Sequence, residues 1–229
     1  MAVALPMESN PETMSKYLHY LGVSDKWRMV DVIGLEGEAL SWVPRPVLAV
    51  ILLFPMSDAY EKHRATQEIE FEKKKEQTPI DIFHLKQVMS DICGTVALVH
   101  SIANNTHKID LKEDGLLQKY LDNAKGLDSA AKGALLENTT ALFNVYKEIV
   151  ASETTGGGHE EEPVSNHFVT FVHKDGKLYE LDGRKTMPIG HGPSTPETLL
   201  EDAAKVCREF IERESGNICF NVVALVPAE

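Results

Sequence analysis

The chain has 229 residues, enough to bury a sizeable core within the size range that one domain fills, and a formal net charge of -12, with 35 acidic against 23 basic side chains. That excess argues against nucleic acid, which is bound by Lys and Arg neutralising phosphates, and favours a basic protein or peptide as partner. No apolar run approaches the roughly 18 to 20 residues of a membrane span, and Met1 to Asn10 lacks the basic and apolar regions of a signal peptide. No membrane partner is therefore expected, and the cytoplasm is the expected location, with the nucleus as a further compartment.

The first predicted element is a helix, with Asn10 as its cap, Pro11 at its first position and Gly22 beyond its last periodic residue. Val47 to Phe54, bounded by Pro44, Pro46 and Pro55, reads as a central strand covered on both faces. Ala59 to Lys75 is dense in charge and reads as a solvated helix rather than a binding patch. Thr95 to Ile102 is apolar nearly all round, which predicts a buried helix with Ser90 or Asp91 as its cap and Cys93 in its first turn. Ser129 to Ala151 predicts one further helix. Ser152 to Asn166 follows as a loop, containing Gly156, Gly157 and Gly158 but lacking the Lys and hydroxyl pattern of a phosphate-binding loop. Phe168 to Val172 and Lys177 to Leu181 flank Asp175-Gly176, a strong hairpin signal. Ser194 with Glu197 has the pattern of a capping box, opening a helix whose apolar stripe is Leu199, Leu200, Ala203, Val206, Cys207, Phe210 and Ile211. Phe220 to Val226 closes the chain as a strand. Helices mixed with antiparallel strands, without an internal repeat, predict a single α+β domain over residues 1–229.

The three cysteines, Cys93, Cys207 and Cys219, stand far apart without paired spacing, so neither a disulfide framework nor a zinc site is suggested, and no cofactor is expected. A thiol becomes a nucleophile when its pKa falls, which a helix N-terminus and a nearby imidazole both promote. Cys93 has the first by its predicted position, and Gly94 beside it lets a substrate backbone come close. Local context alone still favours a buried structural cysteine, so the reading needs a histidine. Among nine histidines the hairpin separates one. With Asp175-Gly176 as a two-residue turn, Lys174 faces Lys177, Val169 faces Asp182 and His167 faces Arg184. His167, Val169 and Asp182 then share a sheet face, with Asp182 diagonal to His167 and able to orient its ring. Glu180 and His173 share that face farther along, and a bulge would reverse the parity. Gln87, upstream of Cys93, is a candidate side-chain donor to an oxyanion, against the alternative of a surface glutamine.

The run Gln87-Val88-Met89-Ser90-Asp91-Ile92-Cys93-Gly94-Thr95, continuing to Ala103-Asn104-Asn105, resembles the nucleophile motif of the ubiquitin C-terminal hydrolase family, especially its short single-domain branch. Leu5 to Pro11, Val43 to Val47, Leu52 to Pro55, His167-Phe168, Leu178 to Lys185 and Pro188 to Gly192 match in the same order. The resemblance implies a papain-like fold, with a central antiparallel sheet between helical layers, a knotted backbone and a crossover loop at about 152–166 above the active site. It implies Cys93 as nucleophile, His167 as general base and acid, Asp182 as its orienting partner and Gln87 as oxyanion donor. It further implies a deubiquitinating thiol hydrolase that removes small adducts or short peptides from the C-terminal glycine of ubiquitin; nothing in the sequence requires an oligomer, so a monomer is expected. Ubiquitin would be contacted by Pro6, Met7, Glu8, Ser9, Asn10 and Pro11, and by Asn217, Ile218, Cys219, Phe220, Asn221 and Val222. The competing expectations are a ubiquitin-binding protein with weak catalysis, and a hydrolase preferring the modifier NEDD8. Two positions depart from the family's usual pattern: Asp91-Ile92 stands where Asn-Ala is often found, and Ala4 where short-branch members carry Trp.

Overall fold

Apolar strands that cannot end in water need partners on both sides, and β2 (Ala49–Pro55) has them. In the computed structural model, which describes residues 6–74, 78–153, 166–214 and 219–228, β2 pairs antiparallel with β3 (Asn166–Lys174) on one side and β6 (Asn221–Pro227) on the other. With β1 (Trp27–Asp31), β4 (Lys177–Leu181) and β5 (Ile189–Pro193), the described strands form one antiparallel sheet in the order β1-β6-β2-β3-β4-β5.

Alternation along β2 builds two cores. Ala49 and Ile51 face a layer containing α1 (Pro11–Tyr20), α3 (Cys93–Ala103), α4 (Leu116–Ala124), α5 (Ser129–Asn138) and α6 (Thr140–Glu153). Val50, Leu52 and Phe54 face α7 (Leu199–Arg213) and Tyr60 from the first turn of α2 (Asp58–Lys74). α7 buries Leu199, Leu200, Ala203, Val206, Cys207 and Phe210 of the predicted stripe and leaves Ile211 half-buried, each large apolar side chain being worth about 1.5 to 3 kcal/mol on burial. Cys207 is thus core. The free edge of β1 is closed by α1, where Ser15 Oγ accepts the Met29 N–H at 2.9 Å and His19 Nε2 meets the Trp27 carbonyl at 2.8 Å.

The hairpin has the predicted register, Lys174 facing Lys177 and Thr170 facing Leu181, and its turn puts Asp175 and Gly176 at φ 47 and 76°. Three other expectations need correction. Ser129 to Ala151 is two helices, because Asn138, Thr139 and Thr140 all favour local side-chain bonds. Thr139 sits at φ -89, ψ 64° with its hydroxyl on the Leu135 carbonyl. α7 begins at Leu199, not beside Ser194. The reciprocal cap bonds form one residue later, from Thr198 N–H to Thr195 Oγ1 and from Thr195 N–H to Thr198 Oγ1, while Ser194 donates to Asp202. Finally, the chain reaches α3 through a short 3-10 turn over Ser90–Ile92, so the cap position falls on Ile92 and not on Ser90 or Asp91. β1 and β5 carry no strong periodic signal, whereas α4 carries an apolar stripe of Leu116, Leu117, Tyr120, Leu121 and Ala124 that the sequence reading passed over. Of the expected loop, Ser152 and Glu153 are the last residues of α6 and Asn166 starts β3, and 154–165 lie outside the described residues.

Candidate active site

Cys93 is the first residue of α3, and Ile92 makes no side-chain cap bond there. The positive end of the helix dipole therefore meets the thiol without a competing carboxylate in the first turn. Thr170 Oγ1, donating to the Ala97 carbonyl at 2.9 Å, fastens α3 to β3 and so fixes the thiol against the start of that strand. There His167 is 1% exposed, and its Nε2 meets Asp182 Oδ1 at 2.7 Å. A hydrogen bond also links the His167 side chain to Cys93. With Nε2 on the carboxylate, Nδ1 is the nitrogen that remains for sulfur. The diagonal pairing read from the hairpin is thus present.

Asp182 is fully buried and richly bonded. Oδ1 accepts His167 and the Arg184 N–H (2.8 Å), and Oδ2 accepts the Tyr60 hydroxyl (2.6 Å). Its main-chain carbonyl takes the Lys185 N–H and the ring of His84, both at 3.0 Å. Burial would raise this carboxyl, but His167, Lys185 and Tyr60 outweigh it and hold the pKa well below the carboxylate range. For His167 burial pushes down, and Asp182 together with Cys93 lifts the pKa to about 9. The ring is therefore an imidazolium at neutral pH.

Gln87 lies on a strap over residues 84–87 that is tied to α3 by the Leu85 N–H on His100 Nε2 and to the Asp182 carbonyl by the His84 ring. The Gln87 N–H donates to the Gly183 carbonyl at 2.7 Å, and its side-chain Nε2 donates to the Met89 carbonyl at 2.6 Å. An amide nitrogen carries two hydrogens, so this bond orients the group without using both. Gln87, Met89, Asn166, His167 and Arg184 line a cleft of 280 Å³; larger clefts beside Phe83 and beside α1 hold no such constellation. Asp91 is exposed, while Ile92 is buried in the core.

The two segments expected to meet a partner come together. Asn221 Nδ2 donates to the Ser9 carbonyl at 3.2 Å, and the Glu8 N–H reaches the Tyr146 hydroxyl at 3.0 Å. Met7 turns inward onto Gly94, where an added Cβ would lie 2.5 Å from the Met7 Cβ. Asn10 Oδ1 caps α1 through Glu12 and Thr13, and Pro11 is its first residue. Pro6, Glu8, Asn10 and Cys219 are exposed, Ser9, Pro11, Phe220 and Asn221 half-buried, and Val222 buried. Asn217, Ile218 and Ala4 lie outside the described residues. Tyr60, His84 and Arg184 were missed as site neighbours. Tyr60 had a faint signal, being an aromatic near the start of an otherwise charged helix.

What these groups can do together is act on sulfur: a buried carboxylate holds the imidazole that faces the thiol, and the thiol stands at a helix start. Fold and chemistry define a thiol hydrolase. The profile of the family described as ubiquitin carboxyl-terminal hydrolase, family 1, matches residues 4–212. A ubiquitin carboxyl-terminal hydrolase of Drosophila melanogaster is 46% identical over 224 residues, covering 98% of this chain and 97% of that one. Ubiquitin carboxyl-terminal hydrolase isozyme L1 of Homo sapiens is 42% identical over 223 residues, covering 97% and 98%. The Trichinella spiralis UCH37 catalytic domain, solved with ubiquitin vinyl methyl ester, superposes with a TM-score of 0.76 at 25% identity, covering 99% of this chain and 96% of that one. The chain belongs to the ubiquitin carboxyl-terminal hydrolase family 1, a family of cysteine-type peptidases.

Proposed function

We propose that this protein hydrolyses small adducts and short peptides from the C-terminal glycine of ubiquitin, with Cys93 as nucleophile. The observation that carries the reading is the buried His167 ring bonded to Asp182 on one side and Cys93 on the other. The Cys93 thiolate attacks the glycine carbonyl carbon, and the carbonyl electron pair moves to oxygen. That oxyanion meets the Gln87 amide and the N–H groups at the start of α3. Collapse breaks the bond to the leaving amine, which takes the proton of the His167 imidazolium and leaves a thioester. Neutral His167 then removes a proton from water, hydroxide adds to the thioester carbon, and collapse returns thiolate and the ubiquitin carboxylic acid, which releases its proton to solvent as the carboxylate.

The joined Glu8 to Asn10 and Asn221 region, on a strongly acidic molecule, supports a basic ubiquitin tail as the bound segment. Turnover of ubiquitin bearing a small fluorogenic C-terminal amide tests the reading. The native protein should release the fluorophore, and Cys93→Ala should bind ubiquitin without turnover. Release unaffected by Cys93→Ala would overturn it, and the same assay on a NEDD8 amide reports which modifier is preferred.

A further inference from the structure

The charged helix α2 turns one aromatic side chain inward at its first turn. Tyr60 is 2% exposed, its ring packed on Phe54 (centroids 4.9 Å apart) and beside His167 (6.1 Å). Its hydroxyl donates to Asp182 Oδ2, a charge-assisted bond to the oxygen that His167 does not use. The turn is itself held: the Tyr60 N–H donates to Ser57 Oγ at 3.0 Å. Farther along, α2 is fastened to the segment that follows Asp182. Glu61 pairs with Arg184, Gln67 accepts from Lys185 at 2.5 Å, and Glu68 accepts the Thr186 N–H at 3.2 Å. The helix that carries the phenol is thus tied to the loop that carries the carboxylate.

We propose that Tyr60 is a positioning residue for the hydrolysis, holding Asp182 Oδ2 so that Oδ1 stays on His167 and sharing the charge that the imidazolium feels. This rests on Asp182 and His167 being the acid–base partners of Cys93. A carboxylate with one oxygen bonded to a phenol presents less charge to the ring on its other oxygen. Burial, with Asp182 and Glu180 beside it, raises the phenol pKa, so Tyr60 donates throughout the working pH range. The other charged and titratable groups facing the pair are Cys93, on His167, and Glu180, Lys185, Arg184 and His84, around Asp182. Without the phenol, the full carboxylate charge falls on the imidazolium. His167 then becomes a weaker acid toward the leaving amine, and Oδ2 is left buried without its donor.

The test compares native protein and Tyr60→Phe on ubiquitin amides and thioesters, with Asp182→Asn alongside. Tyr60→Phe keeps the ring packing. It should lower kcat on the amide about tenfold at nearly constant KM, as loss of an outer partner typically does, and move the basic limb of the pH profile upward. Thioesters, whose leaving group needs no proton, should lose less. A Tyr60→Phe protein with native kcat and an unmoved basic limb would overturn the proposal. So would a Tyr60→Phe protein equally impaired on amide and thioester at an unmoved limb, which would mark a packing role. If Asp182→Asn is inactive while Tyr60→Phe is native, only Tyr60 falls; if Asp182→Asn is fully active, the reading beneath it falls first.

Discussion

At the scale of single residues, the electrostatics of His167 and Asp182 set both activity and pH response. The imidazolium pKa is raised from 6.5 to about 9, so kcat/KM should fall as pH rises through about 9. Replacing Asp182 by Asn removes the charge that raises it, so that limb should move down by a unit or more in a pH–rate series. The same shifts enter stability with opposite signs. His167 stabilises the fold fully below pH 6.5 and loses that contribution as pH climbs toward 9, whereas Asp182, depressed from 3.8, loses its contribution as pH falls below that value. Gln87 makes a different prediction. Gln87→Ala removes one oxyanion donor and should lower kcat about a hundredfold or more with little change in KM. A large rise in KM at native kcat would contradict that role.

At the scale of elements, legibility in the sequence followed the range of the interactions. The β3–β4 hairpin was readable, register included, because alternation and an Asp-Gly turn are local, and from it His167 and Asp182 could be paired. Cys93 was not separable from a core cysteine by its neighbours alone, since an apolar helix looks the same whether it buries its first residue or presents it; the family motif decided it. Tyr60 was not legible because α2 has no apolar face, and the one deep side chain among its described residues is chosen by long-range ties to Arg184, Lys185 and Thr186. α5 holds another such contact. A Cβ on Gly133 would lie 1.8 Å from the Lys86 carbonyl, backbone that cannot turn aside, and Lys86 precedes Gln87 on the strap. Gly133→Ala should therefore cost about 3 kcal/mol or more, despite the better helix propensity of Ala, and should lower kcat through Gln87. An unchanged urea midpoint would contradict this packing.

At the scale of the whole molecule, two cores on either side of one antiparallel sheet carry a surface of net charge -12. If that surface draws in a basic tail, kcat/KM on ubiquitin amides should fall as salt is added, through slower association rather than slower chemistry. A salt-independent kcat/KM would leave the charge as a solubility feature alone. The central claim, that Cys93 is a nucleophile directed at the C-terminus of ubiquitin, is tested most directly by one measurement. The native protein and Cys93→Ala are incubated with ubiquitin vinyl methyl ester and weighed intact. A single ubiquitin adduct on the native protein and none on Cys93→Ala is the predicted result. An adduct that persists on Cys93→Ala, or a native protein that stays unmodified, would contradict the claim.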